Sequence, residues 1–158
     1  MKRVVATGTF DLLHPGHVYY LEESAKMGDE LHVIVARDAN VRHKPKPVVP
    51  ESQRLRMVQA LKPVDHALLG DRNDMFRPIE EIRPAVITIG FNQHFDEHRL
   101  HDALLRRGIE CVIVRIGPFK GEEFCSSRLI VRQILARHRC QESAEEPFRS
   151  DAETGNGF

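Results

Sequence analysis

Five short apolar runs, each set off by segments of helical spacing, restrict the fold of this chain more than any other feature. The runs are "RVVATG" (Arg3 to Gly8), "ELHVIVAR" (Glu30 to Arg37), "DHALLG", "AVITIG" (Ala85 to Gly90) and "IECVIVRIG". All but "DHALLG" are rich in Val and Ile, and "RVVATG" suits a strand buried on both faces. Between them, "HVYYLEESAKMG", "ESQRLRMVQALKP", "MFRPIEEI" and "DEHRLHDALLRRG" space apolar residues as helices do. "SSRLIVRQILARH" follows the fifth run in the same way. Gly28, Pro63 and Gly108 are read as helix stops, and Pro78 as a break. Strand–helix alternation predicts an α/β domain: a Rossmann-like, five-stranded parallel sheet with helices on both faces and right-handed crossovers. In such sheets ligands sit beyond the carboxyl ends of the strands, where strand order switches.

The first strand ends in "GTFDLLHPGH", Gly8 to His17. Gly8 and Gly16 allow the backbone to turn and to approach a ligand closely. Pro15 favours a turn, and His17 is placed at the start of the next helix, whose free N–H groups and dipole attract phosphate. His14 and His17 bring two imidazole donors to the same small volume. Thr9 and Phe10 present backbone N–H groups at the strand end. The reading is a cradle for a nucleotide triphosphate. It is not a Walker loop, since no "GKS" or "GKT" follows.

Other features exclude several classes. With 23 basic and 23 acidic residues the formal charge is zero, so no global field draws the chain to nucleic acid or a membrane. No segment approaches the ~20 apolar residues of a membrane span. Cys111, Cys125 and Cys140 form no CxxC pair, and a reducing cytoplasm is the expected location. His94, His98 and His101 share helical spacing that suits a transition metal, and are read as a solvated face.

"GTFDLLHPGH" resembles the HxGH signature of the cytidylyltransferase-like nucleotidyltransferases. Three further family elements follow in order: the basic loop "RHKPKP" after the second strand, Arg54 in the next helix, and the Ser-rich helix start "CSSRLI" after the fifth. "GTFDLLHPGHVYYLEE", "VIVARD", "QALKPVDHALLGD", "GFNQHFDE" and "CSSR" are most similar to archaeal-type FAD synthetases. The resemblance implies a nucleotidyltransferase domain over 1–140, and the polar 141–158 is expected to be a disordered tail. It implies transfer of AMP from ATP to FMN with release of pyrophosphate, assisted by a divalent cation (Mg²⁺ or a transition metal). A small alcohol-phosphate cytidylyltransferase using CTP stands as the alternative, although those relatives carry a Trp-containing segment and this chain has no Trp. A nucleotide-binding sensor without turnover is the third reading, and a homodimer is left open.

The family pattern assigns roles by position. His14, His17, Lys44 and Arg128 are expected to act on the triphosphate, with Lys46 beside Lys44. Gly8, Thr9, Phe10, Pro15, Gly16, Gly90, Asn92, Phe119, Ser126 and Ser127 are expected to bind nucleotide. Asp11 is the candidate metal ligand. Cys125 has two readings, an activated thiol or a small packing residue.

Overall fold

The computed structural model describes residues 1–42, 45–121 and 124–144, the last five by backbone alone. The strands are β1 (Arg3–Gly8), β2 (Glu30–Val35), β3 (His66–Leu69), β4 (Val86–Gly90) and β5 (Val112–Ile116). The helices are α1 (Pro15–Ala25), α2 (Glu51–Gln59), α3 (Arg77–Ile82), α4 (Glu97–Leu105) and α5 (Ser127–Ala144). All five strands are parallel, in the order β3-β2-β1-β4-β5. The order reverses between β1 and β4, which puts the switch point at the carboxyl end of β1.

Alternation along the strands builds two cores. Val4, Ala6, Leu31, Val33 and Val35 face Leu21 of α1 and Val58 of α2. Val5, Ile34, Ile87 and Ile89 face Ile79 and Ile82 of α3 and Leu100 and Leu104 of α4. Burying each such side chain contributes about 1.5–3 kcal/mol, which explains why β1, central in the sheet, reads as a nearly unbroken apolar run.

A cluster of buried hydroxyls joins α1 to the sheet. Tyr20 of α1 donates its hydroxyl to Thr88 O of β4 at 2.8 Å and accepts from Thr7 N–H of β1 at 3.2 Å. Ser24, one turn on, donates to Tyr20 O at 2.7 Å and shares a 2.8 Å hydrogen bond with Thr88 Oγ1. Burial pushes the Tyr20 phenol up to about 12, so it remains a donor throughout the physiological range.

Several local details differ from the sequence reading. α1 ends at Ala25 rather than at Gly28; Gly28 lies against the Lys2 carbonyl, where a Cβ would collide with backbone. Pro78 stands in the first turn of α3, where its missing N–H is harmless, and so opens that helix instead of breaking it. Asp96 caps α4 by accepting from Arg99 N–H, which leaves His94 outside the helix and removes it from the face expected with His98 and His101. α5 continues through Ala144, six residues beyond the apolar-periodic stretch that ends at His138; residues 145–158, most of the expected tail, lie outside the described residues.

Candidate active site

A cavity of about 540 Å³ opens at the switch point. Gly8, Thr9, Phe10, Asp11, His14, Gly16 and His17 line it from the turn after β1. Gly90, Phe91, Asn92 and Gln93 line it after β4, Phe119 after β5, and Cys125, Ser126, Ser127 and Arg128 at the start of α5. Of the residues expected to act together, Pro15 does not face the cavity, and Lys44 lies outside the described residues.

The turn after β1 is held from beneath. Phe10 takes a left-handed backbone conformation, φ 52°, and buries its ring. A Cβ on Gly8 would stand 2.7 Å from that ring, so the strand must end in glycine. The ring meets His17 edge-on at 5.2 Å. Phe10 is therefore a floor under the histidines, beyond the backbone role expected of it. His14 precedes α1 as its N-cap residue, and its carbonyl accepts from His17 N–H at 2.9 Å. The two imidazoles stack with centroids 3.8 Å apart. His14 Nδ1 is buried with no hydrogen-bond partner among the described residues, and burial pushes this imidazole below its ordinary value. A neutral, underused imidazole at a helix N-terminus suits an incoming anion.

α5 supplies a second helix start to the same cavity. Ser126 caps it, accepting from Leu129 N–H at its Oγ and from Ile130 N–H at its carbonyl. Ser127 and Arg128 follow in the first turn. The two starts touch: a Cβ on Gly16 would stand 2.8 Å from Cys125 O and 3.0 Å from the His14 ring. The glycine of HxGH is thus required by the segment that carries the serines.

The loops on either side are fixed by residues whose roles the sequence left open. Arg54 is completely buried, and its guanidinium donates to the carbonyls of Thr9, Ala36 and Val49 and to Asp38. It ties the ends of β1 and β2 to the segment leading into α2. Asp11 accepts from Val48 N–H at 3.0 Å and Val49 N–H at 2.9 Å, so it anchors the same segment. Lys46 donates to Asp38 O at 2.7 Å. After β4, Gln93 accepts from Gly90 N–H and donates to Thr7 O, bridging the two strands at the switch point. Arg115 of β5 donates to the carbonyls of Gly90, Gln93 and Phe95 and pairs with Glu97, which fixes the loop bearing Asn92. Phe119 rests on Tyr19 of α1 at 5.3 Å, with one side toward the cavity. Gln93 and Arg115 carry no sequence signal because their partners are mainly backbone groups, Thr7 O for Gln93 and the carbonyls of Gly90, Gln93 and Phe95 for Arg115.

A parallel sheet of this order, with a His-x-Gly-His turn after β1 and a Ser-Ser-Arg helix start after β5, is the layout of a nucleotidyltransferase. The chain belongs to the Cytidylyltransferase-like family, whose model matches residues 5–133. The FAD synthase of Methanolacinia petrolearia is 65% identical over 146 residues, covering 92% of this chain and 98% of its own length. The FAD synthase of Archaeoglobus profundus is 56% identical over 152 residues, covering 95% and 97%. Among solved structures, the lipopolysaccharide core biosynthesis protein from Thermoplasma volcanium GSS1 is 46% identical with a TM-score of 0.74, covering 76% of this chain and 99% of its own. No helix among the described residues is long and apolar enough to cross a membrane.

Proposed function

We propose that the protein transfers AMP from ATP to FMN, giving FAD and pyrophosphate. The observation that carries this reading is the convergence of the His14–His17 turn and the Ser126–Arg128 helix start on one cavity, in a chain 65% identical to a FAD synthase.

The attacking group is the FMN phosphate. A phosphate monoester has its second pKa near 6, so it is largely a dianion at neutral pH and needs no general base. The protein's task is to bring two anions together and to stabilise charge on the α-phosphate and the departing pyrophosphate. His14 and His17 donate near the α–β bridge. Ser127, Arg128 and the free N–H groups of α5 hold the β- and γ-phosphates, and Lys44 acts from the basic loop. Asn92 reads the adenine edge, donating and accepting, and Gly90 leaves room for the ring: beyond its chain neighbours, no atom of the described residues lies nearer than 3.7 Å to a Cβ built there. Asp11 fits the family's divalent cation, since a hard cation shared with phosphate oxygens takes one or two carboxylates and each Asp11 oxygen, already accepting one N–H, retains a lone pair. When bound, such a cation neutralises phosphate charge.

The test is pyrophosphate release from ATP and from CTP, each with FMN and with glycerol 3-phosphate. ATP with FMN is the expected productive pair. Faster turnover of CTP with glycerol 3-phosphate would replace this reading with a cytidylyltransferase, and binding without turnover of any pair would make the protein a sensor.

A further inference from the structure

Two histidines face each other at the end of the sheet remote from the cavity. The parallel register of β2 and β3 sets His32 opposite His66, and their rings stack with centroids 4.6 Å apart at 27°. Glu30 precedes His32 by two residues on β2, so the strand period places both on one sheet face. Its carboxylate reaches both rings: Oε2 lies 3.3 Å from His32 Nε2, and Oε1 lies 3.9 Å from His66 Nε2. One ligand atom from each residue lies within 4.8 Å of the other two.

The geometry points to a transition-metal site formed by Glu30, His32 and His66, separate from the cation that accompanies the triphosphate. Two imidazole nitrogens and one carboxylate oxygen suit Zn²⁺, Co²⁺ or Ni²⁺, whereas Mg²⁺ prefers oxygen alone. The exposures are graded. His32 is 14% exposed and Glu30 27%, so the inner ligands are held. His66 is 56% exposed, which leaves its ring free to turn its Nε2 toward an ion and leaves the site open to water as a further ligand. Arg3 is the neighbouring charge, with Nε 3.7 Å from Glu30 Oε2. Its Nη1 also donates to Ile82 O at 2.9 Å, a bond it retains when a metal takes over the carboxylate.

Glu30 and His66 open their strands, and the nucleotide cavity lies past the opposite strand ends, so the ion does not touch the nucleotide. Its consequence is mechanical. β3 is a four-residue edge strand paired only with β2, and the metal fastens its first residue to that neighbour.

The experiment uses the full chain, freed of metal and titrated with Co²⁺ alone. Stoichiometric binding with visible ligand-field bands is expected, together with a rise in melting temperature on addition of Zn²⁺. His66→Ala should lose the bands and the thermal shift, and Glu30→Gln should weaken both. His98→Ala and the His14→Ala/His17→Ala double variant should keep them. His66→Gln serves as a second variant, and circular dichroism checks every fold. Pyrophosphate release by His66→Ala in Mg²⁺ should match the unaltered chain. Absence of stoichiometric binding, bands that survive His66→Ala, or bands lost with His14 and His17 would each overturn the assignment.

Discussion

Gly16 packs directly on the carbonyl oxygen of Cys125: a Cβ at residue 16 would stand 2.8 Å from it. The turn after β1 and the start of α5 are separated by most of the chain, yet they meet at a contact with no space for one methyl group. A side chain at residue 16 would force one of these two cavity-lining segments to shift.

Gly16→Ala should therefore displace α5's first turn and lower turnover by about 10²-fold, as a misplacement near 1 Å can. Gly90→Ala is the contrast. Beyond its chain neighbours, the nearest contact among the described residues is 3.7 Å, so the melting temperature should hold while affinity for ATP falls, because the substituted residue lines the cavity. Thermal melts with steady-state kinetics on both variants check this. A Gly16→Ala enzyme with full turnover would show the two segments to be independent.

His14→Ala and His17→Ala should each cut the turnover number by about 10²-fold at saturating ATP, since the lost donors act on charge that develops in the transition state. If only the Michaelis constant rose, the imidazoles would be ground-state binders. His98→Ala, outside the cavity, should change neither constant.

The His14 imidazole should titrate below 6.5 in the free protein, because burial disfavours its charged form. The unfolded chain then binds more protons than the folded one as pH drops. This group's contribution to stability is complete above pH 6.5 and declines below it. Triphosphate should reverse the shift, so that ATP binding near pH 6 takes up a proton. NMR titration of the ring with and without ATP reads both effects. A free-protein value above 6.5 would contradict the burial argument.

Arg54→Met should cost about 3 kcal/mol in urea denaturation, since it strips donors from three backbone carbonyls and leaves the Asp38 carboxylate with the Glu51 N–H but no guanidinium. Arg54→Lys should recover only part of that, because one ammonium cannot reach four acceptors in a plane. Equal stability of the Met variant and the unaltered chain would exclude the clamp.

β1 and β4 were legible in the sequence because burial on both faces leaves nearly unbroken apolar runs, and the run Arg3 to Gly8 coincides with β1. Helix ends were less so. Gly28 has the residue type of a helix stop, but its constraint is the Lys2 carbonyl, a contact from another element. Pro78 carries no local sign of whether it opens or breaks a helix. In the site, "HPGH" and "CSSR" were visible because the residues that converge on the cavity are adjacent in sequence. Phe10 was legible for its backbone N–H but not for its ring, and Gln93 and Arg115 were not legible, since a ring under a turn and a side chain bonded to distant carbonyls leave no spacing to recognise. Asp11 was seen only as a metal candidate, while its bonds to Val48 and Val49 N–H also make it an anchor.

The buried hydroxyls of Tyr20, Ser24 and Thr88 index α1 to the sheet as a key indexes a shaft. Apolar side chains tolerate sliding past one another by fractions of an ångström, but these oxygens have partners only at one setting. A small axial slip of α1 would strand several of them in the core at once, each costing about 1–3 kcal/mol. His14 and His17 stand at the other end of that helix, so their height above β1 and β4 admits one value and no continuum. Drift that would blur the geometry of the cavity is converted into an all-or-none fault of folding.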